Sequence, residues 1–273
     1  MSRSLRYAAG TFRPIAENLT HGFAADHALE FYAARSIYSF IPKNACSTLR
    51  FALARANGAI SSPVEIDWIH HNNYTFRADQ RSLQQAEFTF VVLRCPFRRL
   101  VSVFLDKIVN RYHNFWFAFP QEDGPIIPGS VTFRTFLERL ARNKLSADIH
   151  WRPQVDFLVY EEYDRWIPLE RFPDYLPELS ERLGTEILDT RALLRHDTSR
   201  FSPAPDGRYA DIPIREIEAM QAKGIAPRAE QLFDEALAGL AAHIYHADLT
   251  LYVEKFGADA ILFPRFAGTG KDQ

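Results

Sequence analysis

The chain has 273 residues, of which 47% are hydrophobic and 24% are charged, as is ordinary for a soluble globular protein. Its formal net charge of -2 excludes the broad basic field of a nucleic-acid-binding protein, so no nucleic-acid partner is expected. Two cysteines are too few for a disulfide scaffold, and no apolar run reaches the roughly 18 residues that a transmembrane helix needs.

Strand and helix patterns alternate in the first half of the chain. A β-branched and aromatic run at 36–41 predicts a strand, and the apolar spacing at 49–56 predicts a helix after it. The continuous apolar run at 88–93 predicts a strand that is buried on both faces. A proline then begins the most regular helical pattern of the chain, at 96–112.

The patterns are more varied elsewhere in the chain. Residues 1–34 give no clear element. The later segments predict a loop at 118–130, a helix at 131–145, a strand at 155–160, a helix at 175–183, a loop at 199–213 and a helix at 229–252. Strands that alternate with helices favour an α/β fold, with a P-loop-like central parallel sheet flanked by helices in a single domain.

The loop between the first predicted strand and helix has the features of an anion site. Its residues are Lys43, Asn44, Ala45, Cys46, Ser47 and Thr48. A helix N-terminus offers unpaired N–H groups and a partial positive charge, and the lysine and the hydroxyls can bind anion oxygens. The alternative is an ordinary strand–helix turn with a serine N-cap. The Gly-rich pattern of a Walker P-loop is absent.

A second cationic segment follows the second predicted strand. Arg94 lies at the end of that strand, and Arg98 and Ser102 share one face of the next helix. A guanidinium binds phosphate through a planar fork, although an isolated arginine here more often bonds a neighbouring carbonyl or carboxylate. Because ligands of parallel sheets bind at the carboxyl ends of the strands, the two segments together favour a phosphate site.

The two segments resemble, in order and spacing, motifs of sulfotransferases that use 3'-phosphoadenosine 5'-phosphosulfate (PAPS). Residues 41–50 (IPKNACSTLR) resemble the 5'-phosphosulfate loop of carbohydrate sulfotransferases of family 2, in the branch of the HNK-1 and chondroitin 4-O-sulfotransferases. Residues 92–102 (VLRCPFRRLVS) resemble the 3'-phosphate motif, and residues 150–154 (HWRPQ) look like the HW-x-P-Q segment of that branch. Weaker similarities lie at 169–172 and 244–248.

The resemblance implies the domain limits and the chemistry. It predicts an N-terminal extension at 1–35, a sulfotransferase domain at 36–257 and a C-terminal tail at 258–273. It implies in-line transfer of a sulfuryl group from PAPS, without a metal, to a hydroxyl of a saccharide or glycoconjugate acceptor. The loop at 43–48 would bind the 5'-phosphosulfate, with Lys43 neutralising the bridging oxygen.

The resemblance also assigns the 3'-phosphate to Arg94 and Ser102. Cys95 stands where the family has an aspartate. If that aspartate normally orients the arginine, Arg94 needs another partner in this chain.

An acceptor hydroxyl needs a base, and histidine is the usual choice near neutral pH. We expect His70 or His71 to serve, because related enzymes carry a base-bearing histidine between the two phosphate motifs; the register leaves the pair open. His150 is the rival because it lies in the HW-x-P-Q segment. Glu65 and Asp67 are the carboxylate alternatives.

Two other functions fit the same features. One is a kinase-like nucleotide-dependent phosphotransferase, which would need Mg²⁺ and residues to hold it. The other is a non-catalytic relative that binds an anionic sugar or a partner, which the replacement of aspartate by Cys95 allows. The composition also predicts a cytoplasmic protein, and the sequence does not indicate an oligomeric state.

Overall fold

The computed structural model describes residues 3–9, 14–72, 74–120, 124–190 and 201–268. Its contacts divide into two compact units that are each discontinuous in sequence. The unit that we call the sheet unit comprises Met1–Arg94 and Gln154–Arg195, and the helical unit comprises Cys95–Pro153 and His196–Gln273.

Helices and strands both occur along the chain, and each type is numbered here in chain order. The α-helices are α1 (Leu19–Asp26), α2 (Cys46–Ala56), α3 (Trp68–His71), α4 (Gln80–Gln85), α5 (Pro96–Val103), α6 (Phe115–Ala118), α7 (Phe133–Arg139), α8 (Phe172–Leu183), α9 (Ile214–Gln221), α10 (Glu235–Ile244) and α11 (His246–Phe256). The strands are β1 (Ala28–Phe31), β2 (Ser36–Ser39), β3 (Phe88–Leu93), β4 (Arg165–Pro168), β5 (Ser202–Pro203) and β6 (Ile225–Ala226).

The sheet unit is built on four strands in the order β1–β2–β3–β4. Strands β2, β3 and β4 are parallel, and β1 pairs with β2 in the antiparallel direction. All six residues of β3 are buried, as its continuous apolar run predicts. The carboxyl ends of β2 and β3 therefore lie side by side at one edge of the sheet.

The core of the sheet unit is rich in aromatic side chains. The ring of Phe90 stacks on Tyr38 at a centroid distance of 5.1 Å and on Phe88 at 5.6 Å. Helix α2 buries Leu49 and Phe51 in the same cluster. Helix α8 also packs there and ends at Gly184, whose φ of 62° is the left-handed conformation that favours glycine at a helix end.

The helical unit has an aromatic core of its own. Phe104 packs against Phe133 and Phe136, at centroid distances of 5.1 Å and 5.9 Å. Trp151 is also buried, and its indole N–H donates to the Lys144 carbonyl at 2.9 Å. The short strands β5 and β6 form a two-stranded parallel sheet in this unit.

The structure confirms the predicted fold class, a mixed α/β fold with a central, mainly parallel sheet flanked by helices. The strand at 88–93 and the end of the helix at 183 are also confirmed. The predicted loop at 199–213 falls partly outside the described residues, as does the loop at 118–130. In the part of the chain that the structure describes, no helix is long and apolar enough to cross a membrane.

Two sequence predictions of secondary structure are wrong, and one segment without a predicted element contains two. The segment at 155–160 is not a strand, because Gln154–Phe157 forms a 3₁₀ turn; its apolar residues serve as core, and β4 pairs with β3 instead. The helix predicted at 229–252 is two helices that meet at Tyr245, with Asp234 capping the first. Residues 1–34, which gave no clear element, contain α1 and β1.

Candidate active site

The N-terminus of α2 has an unusual backbone. Lys43 and Ala45 both adopt left-handed conformations, with φ values of 71° and 55°. Ala45 is the N-cap of α2, and no side chain in the described chain caps it; the interpretation of this turn as a serine-capped helix is therefore wrong. Left-handed residues before an uncapped helix turn successive N–H groups toward one point, which is how backbone binds an anion.

The side chains of this loop divide into supporting and exposed groups. Asn44 is completely buried, and the Thr48 hydroxyl lies 2.9 Å from the hydroxyl of buried Thr190. Lys43, Cys46 and Ser47 are half-buried and remain accessible from solvent. The hydroxyl of Thr48 therefore joins α2 to the chain at Thr190, and its binding of the ligand stays a prediction.

Arg94 contacts the loop directly. Its guanidinium Nη1 donates to the Lys43 carbonyl oxygen at 3.2 Å, which joins Arg94 to the loop within the sheet unit. The peptide groups of Arg94 are held by Gln154: the Arg94 N–H donates to Oε1 at 3.0 Å, and Nε2 donates to the Arg94 carbonyl at 2.9 Å. Gln154 Oε1 also accepts from Nδ2 of Asn44 at 2.6 Å.

The Cys95 thiol forms a hydrogen bond within the helical unit. Its sulfur accepts a hydrogen bond from the Leu262 N–H at 3.3 Å within the helical unit, and it does not cap α5 with its side chain. Because Cys95 replaces the family's aspartate, the sequence predicts that Arg94 needs another partner. Gln154 is such a partner, although it holds the backbone of Arg94 rather than its guanidinium.

His70 and His71 are exposed residues of α3, a helix that is fastened to α2. The fastening is made by Arg50, which donates to the Ile69 carbonyl at 3.0 Å and to the Cys46 carbonyl at 3.3 Å. The histidine pair and the phosphate loop therefore belong to one packed helix pair. Their predicted role as base stays a prediction.

Glu65 precedes the same helix as part of a 3₁₀ turn. Its carboxylate accepts the N–H groups of Ser61 and Ser62, each at 2.9 Å. These hydrogen bonds lower the pKa of Glu65, because they stabilise its ionised form. The role of Glu65 as an alternative base stays a prediction.

His150, the rival base, lies in the helical unit beside a buried carboxylate. Its Nδ1 is 2.6 Å from Oδ1 of Asp148, whose other oxygen accepts from Asn114 Nδ2 at 2.7 Å. Burial raises the pKa of Asp148, but the hydrogen bond and charge of His150 and the bond from Asn114 outweigh burial, so the pKa lies below its usual value. A carboxylate on one ring nitrogen fixes the orientation and the tautomer of a histidine.

The remaining predicted residues also lie in the helical unit. Ser102 is buried on α5, and Arg98, one turn earlier, pairs with Glu230 at 3.6 Å. The role of Ser102 at a 3'-phosphate stays a prediction. Two of the four aromatic residues near the loop at 118–130 belong to the core, Phe115 and Phe119, whereas Trp116 and Phe117 are exposed.

Arg50 and Gln154 lie within the motifs at 41–50 and 150–154 but had no predicted role, and no role was predicted for Asp148 or Thr190. The available signal was the HWRPQ segment, which lies far from both phosphate segments in sequence. Among the residues that the structure describes, no group of three or more His, Cys, Asp or Glu side chains could hold a metal ion.

Comparison with known families agrees with this geometry. The model of the sulfotransferase family matches residues 34–252, which is most of the chain. The chain therefore belongs to the sulfotransferase family, as its two phosphate motifs predicted, and the membership supports sulfotransfer activity in general. No curated protein and no solved structure was found to match it.

Proposed function

We propose that the protein transfers a sulfuryl group from PAPS to a hydroxyl of a saccharide or glycoconjugate acceptor. The observation that carries the proposal is the uncapped N-terminus of α2, with left-handed residues at 43 and 45 and Arg94 against the loop. The small side chains of this loop and the N–H groups at the uncapped start of α2 fit a 5'-phosphosulfate, and Arg94 supplies the fork that a second phosphate needs.

Each residue then has a chemical role. In the in-line displacement, the bond between sulfur and the bridging oxygen breaks while a bond from sulfur to the acceptor oxygen forms. Lys43 neutralises the charge that develops on the bridging oxygen, which is the usual means of catalysis in such transfers. The acceptor proton passes to a base, for which His70 or His71 remains our expectation and His150 the rival.

The 3'-phosphate distinguishes PAPS from ATP and AMP. We assign it to Arg94, and the family motif assigns Ser102 to the same group. The cytoplasmic location also remains a proposal, which fractionation of the native cells would test.

The experiment is an acceptor screen with radiolabelled PAPS over oligosaccharides, glycolipids and small phenols. Label transferred to a saccharide supports the whole proposal, whereas label transferred only to phenols keeps the donor and replaces the acceptor class. A parallel reaction with radiolabelled ATP and Mg²⁺ tests the kinase-like alternative. Phosphate transfer without sulfate transfer would overturn the proposal.

A further inference from the structure

Gln154 joins the two halves of the proposed donor site. We propose that Gln154 is a positioning residue that couples the phosphosulfate loop to Arg94 and thereby sets affinity and selectivity for 3'-phosphorylated nucleotides. This inference rests on the proposed function and adds a role for the HWRPQ segment. Gln154 is only 1% exposed, so that its amide acts through protein groups and not by direct solvent contact.

The hydrogen bonds allow only one orientation of the Gln154 amide. The Arg94 N–H must donate, so it faces Oε1; the Arg94 carbonyl must accept, so it faces Nε2. This arrangement fixes the peptide groups on both sides of the Arg94 α-carbon. The direction in which the guanidinium leaves the backbone is therefore set by a residue 60 positions later in the chain.

The same amide then orients Asn44. Because Oε1 of Gln154 is an acceptor, the Asn44 group that faces it at 2.6 Å is Nδ2, which also donates to the Val92 carbonyl at 2.8 Å. Asn44 lies between Lys43 and Ala45, the two left-handed residues of the loop. Such backbone persists only where surrounding contacts over-determine it, and the buried Asn44–Gln154 bond is one of those contacts.

The arrangement also accounts for the Cys95 departure. The sulfur of Cys95 is bonded to the Leu262 N–H and cannot act as a carboxylate toward Arg94. In a chain without the family's aspartate, Gln154 and the Lys43 carbonyl are two groups that hold Arg94 in place. Loss of Gln154 should therefore disturb both ends of the donor site at once.

The test measures dissociation constants for adenosine 3',5'-bisphosphate and AMP by calorimetry, together with kcat and KM for PAPS. We expect Gln154→Met to weaken bisphosphate binding about tenfold or more, by analogy with the loss of affinity at metal sites when hydrogen bonds that support the ligands are removed. AMP binding should weaken less, because AMP lacks the 3'-phosphate that is assigned to Arg94. The rate should fall on the order of 10²-fold, since misplacement of binding groups by an ångström has that effect.

Asn57→Leu is the matched control. The Asn57 amide also clamps backbone in the sheet unit, donating to the Glu30 carbonyl at 2.7 Å and accepting from the Tyr32 N–H at 3.0 Å. This variant should lose stability while keeping the ratio of the two dissociation constants within about twofold of the wild type, because its clamp lies on β1. Gln154→Asn, which keeps the amide but is too short to span Arg94 and Asn44, replaces the methionine variant if that does not fold.

The outcomes separate the two proposals. The ratio compared is the dissociation constant for AMP divided by that for the bisphosphate. A lower ratio in the Gln154 variant but not in Asn57→Leu supports the coupling of the loop to Arg94. An unchanged ratio and rate in a folded Gln154 variant, alongside wild-type selectivity for the bisphosphate, overturns this inference and leaves the proposed function standing. A wild-type protein that does not prefer the bisphosphate removes both.

Discussion

Lys43 has the most exacting role among the single residues, because its ammonium is assigned to charge that appears only in the transition state. We expect Lys43→Ala to lower kcat on the order of 10²–10³-fold, the usual effect of losing such an electrostatic group. Binding of the bisphosphate product should weaken much less. Steady-state kinetics and calorimetry on the same preparation measure the two effects.

Lys223→Ala serves as its control, since Lys223 is an exposed lysine of the helical unit. Both substitutions remove one positive charge, so a shared loss of rate would indicate a general field effect. An unchanged kcat with a raised KM for PAPS would make Lys43 a binding residue only.

The histidine that acts as base should be recognised by its pH dependence. We change His70, His71 and His150 separately to alanine and measure turnover at saturating PAPS. The base should lose roughly 10²–10⁴-fold in rate with donor affinity nearly kept, and with it the acidic limb of the pH–rate profile. We expect His70 or His71 to behave so. The same behaviour in His150→Ala alone would transfer the role to the histidine that Asp148 orients.

Asp148 gives a prediction about stability instead of rate. Its pKa is lowered in the folded protein, so the carboxylate stabilises the fold above its unfolded pKa, near 4, and that contribution is lost as the pH falls through the folded value. The stability gap between wild type and Asp148→Asn should therefore be largest near neutral pH and shrink below about pH 4. Urea unfolding across this range measures it; a gap that widens in acid would contradict the assignment.

At the scale of elements, the loop before α2 stores backbone strain. Ala45 has a φ of 55°, a conformation that costs a non-glycine residue about 1–3 kcal/mol. Ala45→Gly should relieve the strain and raise the free energy of unfolding by up to about 1 kcal/mol, whereas Ala45→Val should lower it.

The matched substitution within the helix should change the free energy of unfolding in the opposite direction. Ala56→Gly, at the last residue of α2, should lower stability by roughly 0.5–1 kcal/mol, because glycine is a poor helix former. Urea denaturation of the three variants compares them. Equal stability of Ala45→Val and the wild type would mean that the left-handed turn is not formed in solution.

Elements were predictable from the sequence where one local signal dominated. The apolar run at 88–93 predicted β3, and Gly184 predicted the end of α8. Strand β4 was not predictable in this way, because its four residues include an arginine and a proline and its strand character comes from pairing with β3. The segment at 155–160 gave the opposite error, since burial and strand formation produce the same apolar pattern.

The candidate site shows the same division. Lys43 and Arg94 were predictable because local motifs of the family contain them. The positive φ at Ala45 and the clamp by Gln154 were not, because the first depends on how the loop closes and the second joins residues 60 positions apart. Supporting residues of this kind are recognised only once the fold brings distant segments together.

For the whole molecule, we propose a nucleotide site that selects for a 3'-phosphate in a chain of the sulfotransferase family. Family membership supports sulfotransfer in general. The donor and the acceptor remain proposals. The donor can be tested without knowing the acceptor, since a ligand that binds only the native state raises the melting temperature.

The most direct measurement compares the melting temperature of the wild-type protein with adenosine 3',5'-bisphosphate and with AMP at equal concentrations. The two ligands differ by the one phosphate that Arg94 is assigned to hold. We expect the bisphosphate to raise the melting temperature clearly and AMP to raise it far less. Equal shifts with the two nucleotides, or no shift with either, would contradict a nucleotide site that selects for the 3'-phosphate.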